Sequence, residues 1–239
     1  MKKAILIKKA IVVFAKAPIA GQVKSRLIGT LTPEEVKDLY ICFLKDTFEF
    51  LEELLEEIQE ENEDNELSLV LCFTPADELE AFEAADLNGC LMLAQSDGDL
   101  GERMKNCFDD LFKLNFQSVV IIGADTPTLP TENISEAFTI LTEDNNAVTI
   151  GPTVDGGYYL IGMNSPHPAL FENITWGSDQ VMLQTRQQAE TINLQLSLLP
   201  EWFDIDSPDD LERLKLNILA KEAEPYYTKR FLKKLHSSQ

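Results

Sequence analysis

The stretch Val119-Val-Ile-Ile-Gly-Ala-Asp125-Thr-Pro127 decides how this 239-residue chain folds. Proline cannot continue a central ladder, so the aliphatic run predicts a buried strand at 118–122 that ends near Asp125. Ligands of open α/β sheets bind outside the carboxyl ends of the strands, where an acid can hold a divalent cation against an anionic ligand. The alternative, that Asp125 caps the next helix, is weakened because Thr131 fills the position directly before the first turn.

Strand-like and helix-like segments alternate on both sides of this stretch. The predicted strands share short apolar runs and lie at 10–15, 67–73, 90–94 and 118–122. The predicted helices share an amphipathic pattern and lie at 33–58, 76–85, 100–114 and 131–141. Thr32 and Pro33 form a typical helix start. Such alternation predicts a mostly parallel sheet with helices on both faces.

The rhythm changes after residue 141. Strands predicted at 147–151 and 158–163 are too close for a crossover helix, so they should pair as an antiparallel hairpin. A helix at 178–190, a strand at 194–199 and a helix at 208–220 follow. We therefore expect a single domain over 1–223, with the basic and aromatic tail 224–239 packing on it as a helix or strap.

Charge and composition narrow the class of partner. The net charge of −21 argues against nucleic acid or an anionic membrane, although an anionic small ligand is possible beside a metal ion or a local basic cluster. The four cysteines form no CxxC pair and suit buried positions in a reducing compartment. The first apolar run is too short for a signal peptide and no later run approaches a membrane span, so a cytoplasmic location is expected.

The loop after the first strand carries three cations, Lys16, Lys24 and Arg26, together with Gly21. Lysine offers a compact charge and arginine a planar fork to phosphate oxygens, and glycine lets the backbone approach closely, so the loop suits a diphosphate. The spacing between Gly21 and Lys24 is too short for a Walker P-loop. The alternative is that Lys24 and Arg26 only pair with surface carboxylates.

A second glycine-containing turn, with Gln95, Gly98, Asp99 and Gly101, follows the predicted strand at 90–94. Its glycines could let the backbone face a flat base whose edge Gln95 reads. An ordinary helix-capping turn, with Asp99 as the cap, explains the pattern equally well.

The segment Asp155-Gly156-Gly157-Tyr158 is a further candidate. Asp-Gly is the commonest signature of a simple hairpin turn. The functional alternative is that the glycines make room for a sugar or second substrate, with Asp155 as a base or hydroxyl partner and Tyr158 as a platform.

Asp204 and Asp206 lie two residues apart on an extended segment, so both can point to one face. One of them could only support the helix start at Ser207 and Pro208. If this segment lies beside Asp125, the carboxylates form a hard oxygen site for Mg²⁺ or Mn²⁺ that also binds ligand phosphates.

Several motifs occur together in the order in which a known family has them. They are Phe-Ala-Lys-Ala-Pro-x-x-Gly-x-Val-Lys-x-Arg-Leu at 14–27, Gly-Asp-Leu-Gly-Glu-Arg-Met at 98–104, Gly-x-Asp-x-Pro at 123–127, Asp-Gly-Gly-Tyr-Tyr-Leu-Ile-Gly at 155–162 and Phe-Glu-Asn-Ile-Thr-Trp at 171–176. Through them the chain resembles the glycosyltransferase-like selenodomain-associated transferases, a family of nucleotide-diphospho-sugar transferases.

The resemblance implies a GT-A fold, which is a Rossmann-like three-layer sandwich around a mostly parallel mixed sheet. It implies that Lys24 and Arg26 meet phosphates, that Gln95 and 98–101 meet the base, and that Asp125 meets the metal. Asp204 or Asp206 would be the second acid at the metal.

Three functions are consistent with the sequence. The first is metal-assisted group transfer from a nucleotide-diphosphate sugar to an unidentified acceptor. The second is nucleotidyl transfer from a nucleoside triphosphate to a phosphorylated acceptor. The third is nucleotide binding without catalysis.

Overall fold

The computed structural model describes residues 7–61, 65–144, 146–219 and 225–237. Its centre is a seven-stranded sheet with the order β3-β2-β1-β4-β6-β5-β7. The strands are β1 (Ile7–Lys16), β2 (Asn65–Thr74), β3 (Leu91–Ala94), β4 (Ser118–Gly123), β5 (Val148–Pro152), β6 (Tyr158–Met163) and β7 (Leu196–Leu198). The α-helices are α1 (Pro33–Glu61), α2 (Leu100–Lys113), α3 (Thr131–Glu143), α4 (Val181–Thr191), α5 (Pro208–Leu219) and α6 (Tyr226–Ser237).

The sheet is mostly parallel, with one reversed strand. β1 pairs in parallel with β2 and β4, and β2 pairs in parallel with β3. β6 runs antiparallel to β4 and β5, while β5 is parallel to β7. The predicted fold class, including the antiparallel hairpin, is confirmed. β1 and β4 end side by side, with Phe14 paired to Gly123, so the segments after them emerge at the same edge of the sheet.

Successive residues of the central strands face opposite sides of the sheet, because side chains alternate along a strand. In β1, Ile11 and Val13 pack into the core that contains the apolar faces of α1, α3 and α5. Ala10 and Val12 pack into the opposite core with residues of α2 and α4. All four side chains are fully buried. Burial on both sides explains why these strands read as continuous apolar runs in the sequence.

Three element predictions need correction. The helix expected at 76–85 is a short 3-10 helix, Leu79–Ala85, whose two buried residues are three apart, the spacing that aligns side chains in a 3-10 helix. The helix expected from residue 178 begins at Val181, because the preceding residues form a turn that packs against Gly156. Thr131 is the first residue of α3 rather than its cap, and Pro130 occupies the cap position without a side-chain bond.

The C-terminal segment forms helix α6, one of the two forms expected for the tail. Asp46 of α1 accepts hydrogen bonds from the backbone N–H groups of Tyr227 (2.7 Å) and Thr228 (2.8 Å), at the start of α6. Lys45 lies 5.4 Å from the ring centre of Tyr227. The boundary between a domain 1–223 and a tail stays a prediction, and residues 220–224 lie outside the described residues.

Two further expectations can be compared with the structure. All four cysteines are free thiols; Cys72 and Cys107 are buried, and Cys42 and Cys90 are half-buried. Within the described ranges, no helix combines the length and the apolar character needed to cross a lipid bilayer.

Candidate active site

The loop after β1 presents Lys24 in an unusual backbone conformation. Lys24 has φ +43° and ψ +44°, a left-handed geometry, and it precedes the 3-10 helix Ser25–Leu27. On either side of it, Val23 and Leu27 are buried in the core and anchor the loop. Non-glycine residues adopt this conformation at a cost and cluster at sites where the surrounding structure imposes it. The loop is thus held in one shape by apolar anchors, and its cations are fixed by that shape.

Lys24 joins two of the acids that were predicted to hold metal. Its Nζ lies 2.7 Å from Oδ2 of Asp125 and 3.3 Å from Oδ1 of Asp206, and its side chain is only 9% exposed. Burial by itself would lower the pKa of Lys24, but the charges of the two carboxylates outweigh this effect and the pKa is raised. The lysine is therefore a permanent cation placed between two convergent carboxylates.

Arg26 extends this cluster toward solvent. Its guanidinium lies 2.7 Å from Oδ2 of Asp206 while its side chain is 72% exposed. Lys24 and Arg26 do pair with carboxylates, as the alternative reading proposed, but these carboxylates are the candidate metal ligands rather than unrelated surface acids.

The segment that carries Asp206 is positioned by backbone contacts. The N–H of Ile205 donates to the carbonyl of Asp125 at 3.0 Å, which holds the segment against the residues that follow β4. The start of α5 is served by Asp210, whose Oδ2 accepts from the backbone N–H of Ser207 at 2.8 Å and from its hydroxyl at 2.6 Å. Asp210 therefore stabilises the helix start, and the carboxylate of Asp206 is available to the cations.

Asp204 belongs to the same electrostatic cluster. Burial, together with the charges of Asp125 and Asp155, raises the pKa of Asp204 to about 6, although Lys24 acts in the opposite direction. The contacts of Lys24 with Asp125 and Asp206, and of Ile205 with Asp125, bring segments far apart in the sequence together at one edge of the sheet. Among the described residues, however, no group of three or more acids, histidines or cysteines lies close enough together to enclose a metal ion.

A cavity of about 320 Å³ opens at this edge. Its walls include Lys16, Lys24, Asp125 and Asp206, and Arg103 enters from α2. In the part of the chain that the structure describes, Lys16 and Arg103 take part in no salt bridge. The sequence analysis assigned no role to Arg103. The pattern that could have indicated one is its spacing: Arg103 lies three residues after Leu100, another residue of the cavity wall, in the first turn of α2.

A larger cavity, of about 430 Å³, lies against α3 and α5 and is lined by Pro127, Trp202 and Arg213 among others. None of the predicted site residues lines it. We therefore base the candidate site on the smaller cavity, where the charged side chains converge.

Gln95 also lines the smaller cavity, but its side chain is partly engaged. Its Nε2 donates to the carbonyl of Cys72 at 2.9 Å and more weakly to that of Ala15 at 3.5 Å. Its backbone N–H donates to Phe73 at 2.7 Å. These bonds tie the ends of β1 and β2 together. Recognition of a base by Gln95 stays a prediction.

In the glycine-containing turn before α2, the hydrogen-bonding groups of Asp99 are paired with a neighbouring residue. Asp99 accepts from the backbone of Glu102 at 2.9 Å, and the side chain of Glu102 accepts from the backbone of Asp99 at 3.0 Å, which is a capping box. A Cβ on Gly98 would meet Glu102, and one on Gly101 would lie 2.5 Å from the ring of Trp176. The structure thus gives each glycine a packing reason, and a base-binding role for 98–101 stays a prediction.

The hairpin at Asp155 is also locally bonded. Oδ1 of Asp155 accepts from Oγ1 of Thr153 at 2.5 Å and from the N–H of Gly157 at 3.2 Å, while the residue itself is exposed. Gly156 has φ +90°, and a Cβ there would lie 2.2 Å from the carbonyl oxygen of Asp179. The turn therefore needs glycine at 156, and Asp155 remains open to solvent beside the acid cluster.

Tyr158 lies behind this turn rather than on the open side of it. Its phenol oxygen is buried, and its ring meets that of Trp176 edge to face at 6.3 Å. Burial raises the pKa of Tyr158. The geometry gives the tyrosine a place in the core against α4, and a platform role for it stays a prediction.

The family described as "Uncharacterized protein conserved in bacteria" (DUF2064) matches residues 57–178. Comparison with curated proteins gave no significant match. A crystal structure of a "putative nucleotide-diphospho-sugar transferase" from Desulfovibrio desulfuricans G20 is 30% identical, with a TM-score of 0.81, and the match covers 96% of this chain and 95% of that one.

Two further solved structures share the fold at low identity. A cytidylyltransferase from Leptospira borgpetersenii serovar Hardjo-bovis has a TM-score of 0.53 at 15% identity, covering 97% of this chain and 95% of that one. CMP:2-keto-3-deoxy-manno-octonic acid synthetase, solved with CTP, has a TM-score of 0.51 at 9% identity, covering 89% and 99%. The likeness to these two enzymes shows a common fold.

Proposed function

Because this chain belongs to the DUF2064 family of bacterial proteins, we propose that it is a transferase that takes a group from a nucleotide-diphosphate sugar. The observation that carries the proposal is the cavity at the ends of β1 and β4, where cations and carboxylates from four separate segments converge. Such an edge is the usual ligand site of an open α/β sheet.

The cations account for a diphosphate ligand. Lys16 and Arg103 line the cavity without a carboxylate partner among the described residues, and Lys24 lies at its acidic end. Arg26 adds a guanidinium at the rim. The net charge of −21 repels an anion such as diphosphate, and this local group of cations attracts it. The same charges stabilise the diphosphate as it departs.

The carboxylates fit a divalent cation. The ammonium of Lys24 lies within 3.3 Å of oxygens from both Asp125 and Asp206, so the two acids already converge on one cation. Mg²⁺ is typically held by one or two carboxylates together with waters and substrate phosphates. Asp125 and Asp206 would hold Mg²⁺ or Mn²⁺, with Asp204 nearby. When bound, the metal would supply positive charge against the diphosphate.

Asp155 is the proposed acceptor-side residue. It is exposed, and its charge contributes to the raised pKa of Asp204. A carboxylate there could accept a proton from an acceptor hydroxyl or orient that hydroxyl by hydrogen bonding.

Nucleotidyl transfer is the second candidate. It is favoured by the fold that the chain shares with the cytidylyltransferase and with the CTP-bound synthetase. In that reaction an acceptor phosphate attacks the α-phosphate of a nucleoside triphosphate and releases diphosphate.

A ligand screen followed by product analysis tests the proposal. Nucleotides and nucleotide sugars would be compared by thermal shift with and without Mg²⁺; a ligand at a hundred times its Kd adds about 2.7 kcal/mol of stability. We expect the largest shift with a nucleotide-diphosphate sugar, and release of the nucleoside diphosphate when acceptors are added. Release of diphosphate from a triphosphate would favour nucleotidyl transfer. Metal-dependent binding without turnover of any donor would indicate a non-catalytic nucleotide-binding protein.

A further inference from the structure

Lys24 occupies the position that a divalent cation would need. Its Nζ makes the contacts of 2.7 and 3.3 Å to Asp125 and Asp206 described above, and few of its side-chain atoms reach solvent. A metal ion bound by the same oxygens would sit next to or in place of the ammonium. Two cations at that spacing repel each other strongly in a partly buried site. Metal binding and the Lys24 ion pairs therefore oppose each other.

The lysine has a second possible partner in the same cavity. An ammonium has three N–H donors, and two are directed to carboxylates in the described contacts. Lys24 lines the cavity together with Lys16 and Arg103, which are the groups proposed to attract a diphosphate. A lysine side chain has a flexible four-carbon stem, so its charge can move although its backbone is anchored by Val23 and Leu27.

We propose that Lys24 is an exchangeable internal counter-ion, which neutralises Asp125 and Asp206 until a diphosphate draws it away and opens these acids to a divalent cation. This inference rests on the proposed function for the identity of the site. It adds that the metal binds weakly by itself and tightly together with a diphosphate. By thermodynamic reciprocity, the metal must raise the affinity for diphosphate by the same factor.

The test measures binding of Mn²⁺ alone by calorimetry in wild-type protein and in Lys24→Met. Methionine keeps the length of the side chain and removes the charge that competes with the metal. We expect Lys24→Met to bind one Mn²⁺ about tenfold or more tightly than wild type, within the usual range of coupling between sites. In the double variant Lys24→Met with Asp125→Asn this gain should be lost, because one of the two metal-binding acids is gone.

Lys16→Met is the matched control. Lys16 lines the same cavity and its loss changes the net charge equally, but it contacts neither acid in the described ion pairs. We expect its Mn²⁺ affinity to stay within about threefold of wild type, since exposed charges act weakly at a distance. An equal gain in Lys16→Met and Lys24→Met would show a general charge effect and overturn the counter-ion role.

A measurement on wild-type protein covers the case in which Lys24→Met does not fold. Binding of inorganic diphosphate would be measured with and without Mn²⁺, corrected for the complex that the two form in solution. We expect at least about a tenfold increase in affinity on adding Mn²⁺. Tight Mn²⁺ binding to wild type without diphosphate, or no increase, would overturn the inference. Neither experiment uses a nucleotide or a transfer reaction, so failure of the counter-ion role and failure of the transferase proposal give different results.

Discussion

The acid cluster at Asp125 and the turn at Asp99 look alike in the sequence, since each places a carboxylate and a glycine after a strand. In the structure the two carboxylates differ in how far along the chain their bonding partners lie. Asp125 pairs with a lysine 101 residues away. Asp99 is satisfied by Glu102, three residues away.

The difference teaches where binding capacity resides. A capping box completes the hydrogen bonds of its own helix and leaves little for a ligand. In a cluster assembled from distant segments, the charged groups are not used up by hydrogen bonds to neighbouring residues of the chain. The cluster has an energetic cost, seen in the left-handed backbone of Lys24 and in the raised pKa of Asp204. The turn at Asp155 is intermediate, because it is bonded locally but its charge reaches the cluster.

Asp125→Ala should have the largest effect. We expect metal-dependent nucleotide binding to fall by about a hundredfold or more while the fold is kept, because the carboxylate lies at a strand end and acts as a ligand. Nucleotide affinity would be measured by calorimetry with and without Mg²⁺. The matched change Asp99→Ala should instead cost about 1 kcal/mol of stability through loss of the cap and leave the metal dependence intact. Unchanged affinity of Asp125→Ala in both conditions would reject the metal-site assignment.

Asp155→Asn tests the intermediate case. Asparagine keeps the acceptor that receives the N–H of Gly157, so the turn should survive. If Asp155 serves as a base or holds the acceptor hydroxyl, turnover should fall by about a hundredfold with nucleotide affinity unchanged. Steady-state kinetics on the substrate found by the screen would measure this. Near-normal turnover would place Asp155 with the locally satisfied turns.

The double change of Lys24 and Arg26 to alanine tests the cations of the cluster. We expect the affinity for a nucleoside diphosphate to fall about tenfold more than that for the bare nucleoside, since charge-assisted bonds to phosphate oxygens are lost. Both affinities would be compared in the same titration. Equal losses would mean that the two residues serve only to hold the loop.

Asp204→Asn should have the smallest effect, and one that depends on pH. Because the folded protein raises the pKa of Asp204 to about 6 from its ordinary value of 3.8, it binds more protons than the unfolded chain between these values. Stability is therefore lost as the pH rises through this window. In metal-free protein, asparagine should raise stability by about 1–2 kcal/mol above the window, with the gain shrinking toward its lower end. Urea denaturation at the two ends would measure this. A gain independent of pH would point to packing instead.

Much of the fold was accessible from sequence, for reasons that differ between elements. Strands buried on both faces leave long apolar runs in the sequence. The start of helix α1 is indicated by Thr32 and Pro33, and Glu35 completes the cap by accepting from the N–H of Thr32 at 2.8 Å. The 3-10 helix Leu79–Ala85 could not be read, because its short apolar spacing also suits an α-helix.

For the candidate site, the sequence predicted which residues to consider but not which of them contact each other. The sequence predicted Asp125 at a strand end and left open whether Asp204 or Asp206 would be the second acid beside it. That Lys24 would stand between Asp125 and Asp206 did not follow from the sequence, because a contact across 182 residues leaves no local pattern. The packing of Trp176 over Gly101 was hidden for the same reason. The bond from Ser207 to Asp210, by contrast, spans only three residues.

The bond between α1 and α6 bears on how the chain can be shortened or divided. Asp46 is buried, with only 3% of its surface exposed, and both of its oxygens receive N–H groups from the first turn of the last helix. In a chain that ends before residue 225, the buried carboxylate of Asp46 would lose these two donors, and water reaches a buried group poorly. Helix α6 therefore stabilises the domain through the backbone of its first turn, which supplies two hydrogen-bond donors to an acid of α1.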